Sequence, residues 1–482
     1  MQPVALALLA GVLLVSSARA QVVEGVALIM DESGDGAGQV MVNPFGMRTD
    51  ASGNLYVACD SSNAFRVTPA GVITELIDFA GDGQGHHLEY CRGIALGGAR
   101  DVFVAGQGSD NAFRIAPGGA ITQIIDATGD GLGHELNQPW TLAADAAGNA
   151  YVPGRGSHNA FKITPAGVIT QIIDASGDGA GHALEGAWGI AVDRAGNVYV
   201  TGIDSVNAFM ITPAGLITQI IDASGDGAGH PLERPYEIAV DAAGNVFVAG
   251  STGDNAFKIT PAGVISQIID GSGDGLGHEL REPRSLAVDA AGNVLIEGTL
   301  SDNAFRIGAD GAITLIIDAS GDGAGQAFEG PWGITTDPAG DVFLSSYLNS
   351  KVFKVDLEPA GTWLDKQQGL AGAAGLPLLH GAGPPQAGQP ITLTLTHAQP
   401  LAAAALVVGL SSIDAPFKGG VMVPHPDAML PLGTNAHGAA QLQGVWPAGL
   451  PSGTQTFVQW WIVDPSGPAG FAASNALKTT EL

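Results

Sequence analysis

Phe65, Phe113, Phe161, Phe209, Phe257, Phe305 and Phe353 stand 48 residues apart without exception. A fixed interval of this length marks an array of one supersecondary unit, and it constrains the chain more than any local signal. The first six lie in an Asn-Ala-Phe triplet, as in Asn159-Ala160-Phe161, and the seventh in Lys351-Val352-Phe353. Each unit needs one such aromatic against its neighbours, so the seven Phe are expected in the core.

Residues 188–222 show what the unit contains. Trp188 to Asp193 reads as a short apolar strand, Ala195-Gly196-Asn197 as a turn, and Val198-Tyr199-Val200 as a second strand. Ala208 to Thr212 forms a third, Pro213-Ala214-Gly215 turns the chain, and Leu216 to Ile221 makes a fourth. Four short strands in a unit of this length predict a propeller blade, and no 3.6-residue apolar period supports a helical solenoid. Val26 to Asp31 matches a fourth strand with no first three before it, while residues 332–356 supply three strands with no fourth. The expected fold is therefore an all-β, seven-bladed β-propeller whose last blade is closed by the N-terminal outer strand, leaving no exposed edge at the junction.

The phrases Gly189-Ile190-Ala191-Val192-Asp193, Gly196-Asn197-Val198-Tyr199-Val200 and Ile163-Thr164-Pro165-Ala166-Gly167 resemble the NHL-type and streptogramin-lyase-like propellers of exported bacterial proteins. The resemblance covers residues 26 to about 357. It implies architecture, since one blade design hosts enzymes, scaffolds and adhesins.

Other features frame the expected domains. An apolar run from Val4 to Val15 leads into Ser16-Ser17-Ala18-Arg19-Ala20, which reads as a secretory signal over residues 1–20 with a cut before Gln21. The run is too short for a membrane span, and no later stretch is long and apolar enough, so a secreted or cell-surface monomer is expected. The propeller takes residues 21–357. Residues 358–388, rich in Ala, Gly, Pro and Leu, read as a linker. Alternation in Ile391 to Thr396 and the run Phe457 to Val463 predict a small antiparallel β-sandwich over 389–482, similar to a C-terminal module found on exported bacterial proteins. A net charge of −28 repels phosphate backbones and anionic membranes, which excludes nucleic acid as a partner.

Two sets of positions could carry chemistry. The connection from one blade's fourth strand to the next blade's first carries oxygen ligands at places 1, 3, 5 and 12 with Gly at 6, the spacing of a calcium loop. Asp174, Ser176, Asp178 and Glu185 show it, as do Asp222, Ser224, Asp226 and Glu233, and Asp318, Ser320, Asp322 and Glu329. Asp78, Asp82 and Glu89 keep three places, while Val42, Asn137 and Arg281 replace the closing Glu elsewhere. Calcium is one reading; the other is turn chemistry, in which each Asp bonds backbone amides. No organic cofactor is implied. His86, His134, His182, His230 and His278 recur at place 9, as loop-packing groups.

The second set is the residue opening each innermost strand: Phe45, Arg92, Trp140, Trp188, Tyr236, Arg284 and Trp332. These should gather at the channel mouth, where five aromatics and two guanidinium groups would form a concave site for a glycan, peptide or protein ligand. The alternative is that the rings only pack. Cys59 and Cys91 fall at the same end of adjacent blades, so an export-compatible disulfide is expected. The favoured function is a non-catalytic exported binding or scaffold protein. A streptogramin-lyase-like lyase or hydrolase is the second reading, with His158 as its symmetry-breaking candidate base, and a purely structural envelope or matrix component is the third.

Overall fold

The computed structural model describes residues 25–481 apart from 99, 310, 358–362 and 452; the expected signal segment lies outside the described residues. The chain divides into two compact units, one spanning Val23–Leu357 and the other containing Glu358–Leu482. No α-helix occurs among the described residues.

The first unit consists of seven four-stranded antiparallel sheets. Their innermost strands are Pro44–Thr49, Cys91–Leu96, Ala143–Ala144, Ala187–Val192, Pro235–Val240, Leu286–Val288 and Pro331–Thr336. Six sheets take four strands that are consecutive in sequence. The seventh orders Pro331–Thr336, Val342–Ser346 and Lys351–Asp356 outward and adds Gly25–Met30 at its rim. Val26 lies opposite Val355 and Leu28 opposite Phe353, the pairing expected from the unmatched ends of the array. Each innermost strand touches those on both sides round the whole circuit, including Pro331–Thr336 against Pro44–Thr49.

Packing explains the repeat. Residue alternation sends one face of each sheet toward each neighbour, so clusters lie between sheets rather than within them. Phe113, for example, joins Tyr56, Ala58 and Ala64 of the first sheet with Val104 and Ile115 of the second. All seven repeat Phe residues are fully buried. The Asn of the triplet plays a separate part, because its side-chain amide donates to a carbonyl in the preceding loop, as in Asn159 Nδ2 to Glu135 O at 2.9 Å and Asn207 Nδ2 to Ala183 O at 2.9 Å. The triplet therefore anchors a loop and fills a seam at once.

A second tie crosses between neighbouring sheets. The residue before each triplet has left-handed backbone, and in every repeat except that of Val206 its side chain accepts a backbone amide of the next sheet: Ser62 from Tyr90, Asp110 from Gln138, Asp254 from Glu282 and Asp302 from Gly330. Ser350 closes the series by accepting from Asn43, at 3.1 Å.

The second unit holds two larger sheets. One orders Leu364–Asp365, Leu477–Thr480, Gln455–Val463, Ala403–Gly409 and Ala428–Gly433, with Phe471–Ala473 also on Gln455–Val463; the other joins Leu378–Ala382, Pro390–Thr396 and Ala440–Val445. Leu393, Leu395 and Leu442 of the smaller sheet share one core with Leu406, Trp460 and Ile462 of the larger. The structure departs from the expected linker. Leu364 pairs with Lys478, Leu379 pairs with Leu395, and Leu370 bridges Ala473, so this Ala/Gly/Pro-rich stretch contributes edge strands to both sheets. Composition suggests a linker because edge strands tolerate the Gly and Pro that central strands do not.

Candidate functional site

The seven residues that open the innermost strands do converge. Trp140 stacks on Trp188 with centroids 4.3 Å apart, Trp188 meets Tyr236 edge-on at 4.9 Å, and Phe45 packs on Trp332 at 4.8 Å and on Trp140 at 5.8 Å. Arg92 lies 4.0 Å above the Trp140 ring and Arg284 4.2 Å above Trp332. The geometry corrects the expected concavity: these side chains stack on one another and plug the channel mouth, burying Phe45, Trp188 and Tyr236. Aromatic faces gain more from each other and from the two guanidinium groups than from water, so a ring this crowded collapses onto itself.

Around the rosette lies a ring that sequence reasoning passed over. The residue after each second strand is Asp60, Gln107, Arg155, Ile203, Ser251, Thr299 or Tyr347, different in every repeat. Asp60 grips Arg92 through two hydrogen bonds of 2.6 and 3.1 Å and accepts the Tyr347 hydroxyl at 2.7 Å. Arg284 pairs with Glu282 at 2.6 Å. Arg155 leans over Trp188 and Arg234 over Tyr236, and among the described residues neither has a carboxylate in ion-pair range. The signal for this ring was available, since a column that changes in every copy of a near-identical repeat stands out once the copies are aligned.

The adjoining column has unusual backbone. Asn43, Tyr90, Gln138, Arg234 and Glu282 all hold φ between 45° and 53°, where glycine costs nothing and other residues are disfavoured. Glycine takes the two remaining places for steric reasons. A Cβ on Gly186 would come within 2.7 Å of Ile203 Cγ2, and one on Gly330 would meet Leu348.

The loops with calcium-like spacing use their oxygens internally. Asp174 Oδ1 accepts the Ser176 amide at 2.8 Å and the Ser176 hydroxyl at 2.5 Å, which together hold its carboxyl below the usual range. Asp178 accepts the Ala180 amide at 2.9 Å and holds the His182 ring at 2.7 Å, with His182 the main cause of its lowered pKa. The pattern recurs in Asp222–Ser224 and Asp226–His230, in Asp318–Ser320, where Asp322 takes the Gln326 amide, and in Asp78–Ala80 and Asp82–His86. Place 12 acts through its backbone: Glu185 and Glu89 donate amides to Ser205 and Ser109, while Glu329 donates to Ser346. Val42, Asn137 and Arg281 donate the same way to Ser61, Ser157 and Ser301, which explains why their side chains are free to vary. Glu233 faces Thr252. Among the described residues no three His, Cys, Asp or Glu side chains form a group placed to hold a metal ion, and the loop carboxylates named above bond groups of their own loops.

Two further expectations are corrected. His158 is one of the inter-sheet ties: its Nδ1 accepts the Gly186 amide at 2.8 Å, so that nitrogen's lone pair is committed and cannot serve as a base. Cys59 and Cys91 are free and fully buried. Cys59 packs with Val57 and Phe65 in the seam toward the seventh sheet, whereas Cys91 packs with Ala58 and Ile94 in the seam between the first and second. The two cysteines are thus neighbours that belong to different seams and carry free thiols. Burial raises both pKa values, that of Cys91 to about 12.

Two carboxyls of the innermost strands and their neighbours, Glu297 buried and Glu237 partly so, also escape a reading of the sequence. Glu297 stands where other repeats have Ala58, Ala105, Pro153, Thr201, Ala249 and Ser345; it accepts the Ser285 amide at 2.8 Å and the Thr299 hydroxyl at 3.1 Å. Burial lifts its pKa to about 8. Thr201 and Ser345 do the same job for Gly189 and Gly333, so Glu297 replaces a hydroxyl as an amide acceptor. Glu237 replaces Gly, Thr or Ser in its column and is lifted by burial to about 7.

No protein family and no curated protein matches this chain. Solved structures do. Virginiamycin B lyase from Staphylococcus aureus superposes with a TM-score of 0.53 at 14% identity, over 69% of this chain and 99% of that one. YCF48 bound to D1 peptide gives 0.50 at 9% identity, over 71% and 100%. The extracellular domain of a hybrid two component system from B. thetaiotaomicron gives 0.50 at 12% identity, over 96% of this chain and 60% of that one. At these identities the likeness shows the fold: a β-propeller similar to the streptogramin B lyases.

Proposed function

We propose that this chain is an exported, non-catalytic binding protein. In this reading an NHL-type propeller of seven blades, closed by Gly25–Met30 and followed by a β-sandwich module, presents its rosette face to a peptide or protein segment. The observation that carries the reading is the contrast between the two ends of the repeat. At the far end the turn Asp-Ala-Ala-Gly-Asn recurs almost unchanged, as in Asp145–Asn149, Asp241–Asn245 and Asp289–Asn293. At the rosette end the columns beginning Asn43 and Asp60 differ in nearly every copy, and the first holds five side chains in backbone that favours glycine. Strain of about 1 kcal/mol or more per residue is retained where the side chain itself is needed.

Chemistry narrows the ligand. The unpaired Arg155 and Arg234 flank stacked aromatics, which suits a segment carrying a carboxylate beside an apolar or aromatic side chain. YCF48, a neighbour of the same fold, is bound to a peptide. The lyase reading has less support, because Asp60 is held by Arg92 and Tyr347 and His158 by Gly186.

Selection of displayed random peptides on the full mature chain tests the proposal. Recovered peptides should be enriched in Asp, Glu and aromatic residues, and should lose at least tenfold in affinity for an Arg155→Glu, Arg234→Glu variant while binding an Arg194→Glu variant unchanged. Peptides indifferent to the double variant, or selection of glycans alone from a parallel array, would overturn it.

A further inference from the structure

Beneath the rosette the channel continues into a cavity of about 390 Å³. Its walls are the inward faces of the innermost strands, and it runs down to Leu96, Val240 and Thr336 at their C-terminal ends, so it opens on the face opposite the rosette. The width has a direct cause in sequence. Ala95, Ala143, Ala191, Ala239 and Ala287 occupy one column, and five methyl groups leave open a space that larger side chains would fill.

Thr335 completes the column in the seventh repeat, and two charged types depart from the small residues that line the channel. Arg48 takes the place that alanine holds in five other repeats, and Glu237 stands one layer nearer the rosette, in a column otherwise of Gly, Thr and Ser. They come from the first and fifth sheets, on opposite sides of the channel. Both also line the small void of about 30 Å³ directly under the rosette, so they form a partition between that void and the larger cavity. Among the described residues they form no direct ion pair, and Arg48 Nη1 donates to the Met47 carbonyl at 2.8 Å, with no carboxylate in ion-pair range of its other N–H groups. A guanidinium and a carboxyl facing a shared cavity without closing on each other have capacity for a ligand bearing both complementary groups.

We propose that this cavity is a binding site for a small aliphatic zwitterion of the α-amino acid class, its carboxylate on Arg48, its ammonium on Glu237 and its side chain along the alanine and leucine walls. The site is separate from the peptide-binding face and does not depend on it. The volume lies within the range of small-ligand cavities, and the lining offers both the aliphatic surface and the charged groups that such a ligand needs.

Titration calorimetry on the full mature chain tests this with L-leucine, with isopentylamine, which lacks the carboxylate, and with 4-methylpentanoate, which lacks the ammonium. Leucine should bind saturably at one site, and each analogue at least tenfold more weakly. Arg48→Met and Glu237→Gln should each weaken leucine at least tenfold, and Ala191→Phe, which fills the channel, should abolish its binding. The wild-type comparison needs no variant to fold. Absence of saturable binding by leucine and by smaller amino acids up to millimolar concentration would overturn the proposal, as would equal binding of leucine and its two analogues.

Discussion

Removal of residues 21–30 deletes the strand Gly25–Met30 and leaves Lys351–Asp356 as an unpaired edge. The loss falls on two seams at once. Val26 and Leu28 pack with Leu344 and Phe353, while Ile29 and Met30 pack with Met41, Met47 and Phe343. Met30 is 3% exposed, so its burial is worth about 2 kcal/mol. Val26, Leu28 and Ile29 are half-buried and contribute roughly 1 kcal/mol each, giving a total of about 5 kcal/mol before any loss of ladder hydrogen bonds. Net stabilities of domains are about 5–15 kcal/mol, so this loss is a large fraction of the whole. Urea unfolding followed by tryptophan fluorescence should show a midpoint lowered in proportion. A synthetic peptide of residues 23–32, added in trans, should restore much of it by pairing with the vacated edge. A truncated chain with an unchanged midpoint, or one indifferent to the peptide, would refute the closure argument, because it would mean that the seventh sheet is complete without its rim strand.

Glu297, with its pKa raised to about 8 and no exposed surface, binds a proton in the folded chain that the unfolded chain releases near its ordinary value. Stability should therefore be greatest below about pH 4 to 5 from this group's standpoint and decline by up to about 1.4 kcal/mol per unit as pH rises toward 8, a slope that Glu297→Gln should reduce; equal slopes in both proteins would exclude this carboxyl as the source. Glu237, raised to about 7, adds to the same decline, and the double substitution should reduce the slope further than either single one. Both thiols should resist an aromatic disulfide reagent in the native protein and react in full in urea, whereas one rapid equivalent without denaturant would contradict their burial. Millimolar calcium should leave the melting temperature within about 1 °C of its value in chelator, since the Asp oxygens are taken by the loops' own amides; a shift of several degrees would show that those turns rearrange around the ion.

Much of the fold was present in the order of residues because the 48-residue period is a one-dimensional record of a rotational arrangement. The four strands per unit, the buried Phe and the displaced rim strand all follow from counting copies and finding one strand too many at the start and one too few at the end. The membership of the rosette was legible for the same reason: one column of a repeat is brought to one radius of the assembly.

What the rosette does was not legible. Whether seven side chains leave a hollow or stack shut depends on distances between repeats far apart in sequence, as between Tyr347 and Phe45, whose ring centroids lie 6.3 Å apart. The Asp/Ser/Asp loops were ambiguous for a related reason. Their spacing is compatible with either a cation or the loop's own amides, and backbone direction alone selects between them. The pair Cys59 and Cys91 fell near each other by column but onto different seams, because alternation along a strand assigns neighbouring residues to opposite faces. Sequence by itself thus determined the unit, its number of copies and its closing partner, which are properties of a linear pattern. The plugged mouth, the channel with Arg48 and Glu237 across it, and the commitment of each carboxylate were decided only when the ring brought distant repeats within hydrogen-bonding distance.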